Sequence, residues 1–144
     1  MKSLSFLTIL AALALTAVGC GSDSGGVMTE SINDGNQLVG LWRGTLNGAN
    51  VDGLRADLSL DIESSDGPNV RGRYSVTYTH QGVAGEFGPG FFTGTVSNGV
   101  LRTALGGGPS CRIGLNLDEL SSRAMGGEFI QGCGFGSGRV VLAR

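Results

Sequence analysis

Residues 54–79 read LRADLSLDIESSDGPNVRGRYSVTYT. Leu54, Ala56, Leu58, Leu60 and Ile62 alternate with Arg55, Asp57, Ser59, Asp61 and Glu63. Successive side chains of a β-strand point to opposite faces, so this order gives one dry face and one wet face. The pattern returns after a short interruption, with Val70, Gly72, Tyr74, Val76 and Tyr78 on one side and Arg71, Arg73, Ser75, Thr77 and Thr79 on the other. Ser64-Ser65-Asp66-Gly67-Pro68-Asn69 lies between the two runs and supplies turn-forming residues. Two amphipathic strands joined by such a turn make a hairpin.

The same alternation extends in both directions. Residues 38–46, 91–97, 100–105, 111–117, 123–131 and 139–143 are further strand candidates, with a tight turn at Ser97-Asn98-Gly99 and a looser one at Gly106-Gly107-Gly108-Pro109. Residues 81–90 are rich in glycine and read as the longest loop. With Phe87, Phe91 and Phe92 nearby, this loop is a candidate lid, contact surface or barrel plug. No helix is expected after the leader. About eight antiparallel strands with one apolar face can pack as a sandwich or close on themselves. Sequential hairpins and strand glycines at Gly44, Gly72, Gly94, Gly126 and Gly127 favour an all-β, small up-and-down barrel. Its inward set includes Trp42, Tyr74, Tyr78 and Phe129, all expected to face any apolar ligand held inside. Arg43, Arg55, Asp57, Asp61, Glu63, Arg71, Arg73 and Arg112 fall on the outer face. Arginine on a lipid-facing strand costs about 2 to 4 kcal/mol at mid-bilayer, so this wall is expected to face water.

The first twenty residues, MKSLSFLTILAALALTAVGC, join a charged start at Lys2 to an apolar run and a small residue before Cys20. That is the make-up of an export signal, and the run is short for a membrane-spanning helix. Residues 1–19 are therefore expected to be cleaved. Residues 20–36 follow as a small, polar tether, and 37–144 form the barrel domain. Lys2 is the one lysine, so nine arginines face twelve acids after the leader, a formal charge of −3 that argues against nucleic acid as a partner. Of three cysteines, Cys111 and Cys133 remain as an even pair in an exported, oxidising setting. They sit at the outer ends of one expected hairpin, whose register would set Ile113 opposite Gln131, Leu115 opposite Phe129 and Leu117 opposite Gly127. A disulfide between Cys111 and Cys133 would lock that register.

Ala17-Val18-Gly19-Cys20 resembles the lipobox of bacterial lipoproteins, although the family usually carries leucine where Ala17 stands. The resemblance implies acylation of Cys20, with palmitate-type chains on its sulfur, and membrane attachment through that residue. Gly21 in place of an aspartate implies, by analogy with diderm lipoproteins, the outer membrane of the cell envelope. Gly40-Leu41-Trp42 is similar to the G-x-W of the calycin barrels, which include lipocalins and avidins. There the tryptophan closes one barrel end and a late arginine often stacks on it, a part open here to Arg139 or Arg144. Trp42 is the single tryptophan, so the further binding-site tryptophans of avidins are missing and biotin binding is not implied.

Catalytic chemistry finds little support. His80 is the one histidine and stands at a strand end, and no serine lies in a G-x-S-x-G elbow. Asp61, Glu63 and Asp66 lack the spacing of a calcium loop, and no C-x-x-C spacing exists for zinc. No metal, cofactor or catalytic residue is expected. The leading expectation is a non-enzymatic, lipid-anchored envelope protein whose barrel binds a small apolar ligand or an envelope partner. An inhibitor of an extracellular or periplasmic protease, acting through residues 38–42 or the segment around Glu86, is the alternative. A structural envelope protein with a filled barrel is a second.

Overall fold

The computed structural model describes residues 32–48, 54–108, 111–131 and 136–144. The structure is an eight-stranded antiparallel up-and-down barrel, closed by pairing of the first strand with the last. A one-turn 3-10 helix, Gly35–Leu38, precedes β1 (Gly40–Gly48), β2 (Leu54–Asp66), β3 (Asn69–His80), β4 (Val83–Ser97), β5 (Val100–Gly108), β6 (Cys111–Leu120), β7 (Ala124–Gln131) and β8 (Gly138–Ala143). The alternation seen in residues 54–79 is realised as written. Leu58, Leu60, Ile62, Tyr74 and Val76 are buried, while Arg55, Asp57, Asp61, Arg71 and Arg73 are exposed.

Closing so few strands demands tight coiling. At Gly44 a Cβ would fall on the Val141 carbonyl oxygen, and at Gly72 on that of Asp61. Neighbouring backbones can approach this closely only where the side chain is absent.

Residues 81–90 form no long loop. Gln81 and Gly82 make a tight turn, and β4 begins at Val83. Alternation is invisible there because β3 supplies the side chains. A Cβ on Gly85 would meet the Tyr78 hydroxyl at 2.5 Å, and one on Gly90 would meet that of Tyr74 at 2.6 Å. The tyrosine rings therefore lie across bare backbone. Residues 32–38 pack against the barrel, with Ile32, Gly35 and Leu38 buried. The 3-10 turn is a short helix where none was expected, and β1 starts at Gly40 instead of residue 38.

The core lies along the barrel axis and spans every strand. Trp42, Leu60, Ile62, Val76, Leu101, Leu105, Ile113, Leu117, Phe129, Val140 and Leu142 are each 0% exposed, so no water-sized space touches them. Among the described residues no polar or charged side chain is buried. The interior is therefore a dry, filled core of the kind an eight-stranded barrel can pack with its own side chains.

Candidate functional site

Three places on the barrel bring chemistry-bearing residues together. The first is its capped end. Residues 32–39 cross this end and are fixed by polar contacts: Gly35 N donates to Gly67 O at 3.1 Å, and Gly99 N donates to Asn33 Oδ1 at 2.9 Å. Asp34 caps the 3-10 turn by accepting from Asn36 N at 2.9 Å. That bond, followed by the one from the Asn36 side chain, holds the Asp34 carboxyl below its usual value. Trp42 lies beneath the cap, its Nε1 donating to Leu38 O at 2.7 Å. The Arg144 guanidinium sits 4.5 Å from the indole centroid and donates to Val39 O at 2.6 Å. Of the two arginines considered for this stacking, Arg144 takes the part. Arg139 instead pairs with Glu119 at 2.6 Å, and this hydrogen-bonded carboxylate raises its pKa further.

The second place is the interior set. Trp42 and Phe129 are wholly enclosed, and Tyr74 is 6% exposed with its ring 5.6 Å from that of Phe87. Tyr78 is half-buried at the opposite end of the barrel, packed against the same core. Trp42 and Phe129 meet only packed neighbours, whereas Tyr78 also lines an open recess with Arg55 and Glu86. Sequence alternation identified them as inward-facing; it carries no information on whether the facing side chains meet.

The third place was not singled out by sequence reading. A groove of about 660 Å³ runs along the outer wall across β3 to β6, and Arg71, Arg102 and Arg112 reach it from three strands beside Thr93, Thr95 and Asp66. Arg71 pairs with Thr93 across β3 and β4, and Arg102 with Thr95 across β4 and β5. Positions so far apart in sequence gave no local signal. Among the described residues the ion pairs are Arg73–Glu63 and Arg139–Glu119, which leaves these three guanidiniums without a carboxylate partner.

The remaining candidates are scattered. Glu63 is engaged by Arg73 at 2.9 Å, whereas Asp66 lines the arginine groove, so the acidic residues do not gather. His80 is half-buried at the end of β3, opposite Val83. Glu86 is exposed on β4. In the β6–β7 hairpin Ile113 faces Gln131, Leu115 faces Phe129 and Leu117 faces Gly127, the register expected from sequence. Cys111 opens β6; Cys20 and Cys133 lie outside the described residues. Among those residues no helix is long and apolar enough to cross a membrane.

Comparison with known proteins returned no match to a family model, a curated protein or a solved structure. The reading of function therefore rests on the geometry.

Proposed function

We propose that this chain is a non-enzymatic envelope lipoprotein, anchored through acylated Cys20, whose calycin-like barrel works by presenting its outer wall to an envelope partner. The observation that carries this reading is the pairing of a filled interior with a charged exterior. Side chains along the axis leave no water-sized gap at Trp42, Leu60 or Phe129, while a groove with three arginines to one carboxylate faces outward. The stacking of Arg144 on Trp42 beneath a capping turn supports the calycin likeness. Ile32 enters at the capped end, and the chain from Cys20 to Ile32 can reach at most about 40 Å. An anchor at Cys20 would keep that end near the membrane and turn the opposite end away. The register of β6 and β7 supports a disulfide between Cys111 and Cys133, which would contribute about 3 kcal/mol in the chain-entropy model.

Intact-mass measurement on protein recovered from native membranes tests anchor and disulfide together. The expected mass starts at Cys20, carries two or three acyl chains, and gains two alkyl groups only after reduction. Cys20→Ser is expected to release the protein from membranes by more than about tenfold, because acyl chains supply the attachment. An unmodified mass with unchanged partitioning overturns the anchor. Solvent extraction of the same preparation is expected to yield no stoichiometric small molecule; a reproducible apolar ligand would restore the interior-binding reading.

A further inference from the structure

The pairing around the barrel is uneven, and its shortest seam borders the arginine groove. β4 and β5 pair only from Gly94↔Thr103 to Ser97↔Val100. The β3–β4 ladder, by contrast, runs on to His80↔Val83, so among the described residues β4 pairs with a strand on just one side from Val83 to Thr93. β5 beyond Thr103 likewise pairs with β6 alone, through Ala104↔Gly114, Leu105↔Ile113 and Gly108↔Cys111. Two strand edges thus diverge as a wedge that opens away from the capped end. Phe92, 4% exposed, seals its inner side, and Phe87 reaches across to Gly106, where a Cβ would lie 2.7 Å from the Phe87 ring. At the vertex Thr103 Oγ1 donates to Thr93 O at 2.8 Å; beyond it the backbone edge of β4 has no partner strand among the described residues.

An unpaired edge offers a row of backbone donors and acceptors that an extended chain can satisfy. Arg71, Arg102 and Arg112 stand at the vertex of this wedge with Asp66 as the one carboxylate beside them. This is a local positive excess on a chain whose acids outnumber its basic residues. Phe91, 76% exposed on the adjoining outer face beneath Arg73, adds apolar surface. Pro89 provides no N–H, so residues 90–93, next to the groove, form the continuous docking length, in which the Thr93 carbonyl is already engaged by Thr103 Oγ1.

We infer that the wedge between β4 and β5 takes up an extended acidic peptide as an added strand, its backbone pairing with the β4 edge and its carboxylates meeting Arg71, Arg102 and Arg112. A phosphate group or an anionic lipid headgroup would use the guanidiniums and leave the edge bare, whereas an acidic strand uses both. The inference rests on the reading that the barrel acts through its outer wall. Extraction that yields no ligand, together with absent peptide binding, would refute this site and leave that reading in place.

The test uses the full-length protein in neutral detergent and a fluorescent, end-blocked heptapeptide of alternating Glu and Val, followed by anisotropy. Binding is expected to weaken by about tenfold or more in Arg71→Gln/Arg102→Gln and to fall with added salt, as contacts to ionised groups do. A peptide with Lys in place of Glu is expected not to bind. N-methylation of alternate amides is expected to cost at least about tenfold on the edge that pairs with β4 and little on the other. Equal binding of both N-methylated peptides overturns strand addition. No saturation by about 1 mM peptide also refutes the proposal, as does arginine-dependent binding of inorganic phosphate or phosphatidylglycerol vesicles in place of the peptide. The arginines are exposed, so unchanged Trp42 fluorescence in the variant shows that the barrel has folded.

Discussion

The indole of Trp42 is held by both edge and face. Its N–H satisfies the Leu38 carbonyl that ends the capping turn, and Arg144 covers the ring while donating to Val39 O. One residue therefore ties the cap, the first strand and the chain terminus together. Trp42→Phe keeps an aromatic core but leaves the Leu38 carbonyl without its buried donor. The expected loss is about 1 to 3 kcal/mol, measured as a shift of the urea midpoint followed by circular dichroism. An unchanged midpoint would mean that the cap does not depend on this bond. The G-x-W spacing made Trp42 legible in the sequence. Which arginine meets it was not, because Arg139 and Arg144 both lie near the end of the chain. Strand direction resolves the choice: Arg139 pairs with Asn47 far along β1, while Arg144 follows the last pairs of β8 and returns to the cap.

Among the elements, the capping turn and β4 departed most from expectation. The turn GNQL has no apolar period, and it forms because Asp34 caps it and Leu38 enters the core. The Asp34 carboxyl is lowered in the folded state by the bond from Asn36 N, then by the Asn36 side chain. A lowered carboxyl favours the folded form when ionised. That contribution is complete above the unfolded value near about 3.9 and disappears as pH falls through the lower folded value. Protection of the Asn36 amide, its exchange rate relative to the intrinsic rate at each pH, is accordingly expected to fall below about pH 4, and Asp34→Asn to remove that pH step while leaving core amides protected. A step that persists in the variant would assign it to another group. The first part of β4, residues 83–90, escaped notice because its glycines receive the tyrosines of β3, so a paired strand looked like loop sequence. β6 and β7 were legible down to register, since Leu115 and Phe129 must share a face.

For the whole molecule, closure has a consequence that alternation alone does not contain. Every strand sends apolar side chains to one axis, and the axis is full. Phe129, 0% exposed, is an internal test of that filling. Phe129→Ala is expected to cost about 3 to 5 kcal/mol in chemical denaturation, the range for truncating a large aromatic in a packed core. A cost under about 1 kcal/mol would indicate a roomy interior and favour the ligand reading. The sequence by itself determined the strands, the inward and outward sets and the hairpin register. These are local consequences of side-chain period and turn chemistry, and they need no distant contact. Closure was favoured by the sequential hairpins and strand glycines and is realised; tertiary structure alone decided that the interior is filled and that Arg71, Arg102 and Arg112 share one groove beside a short β4–β5 seam. Those properties depend on how strands far apart in the chain coil around one another. Coiling is set by backbone approach at residues such as Gly44 and Gly72; their glycines signal that strands come close, but not how the facing side chains then meet.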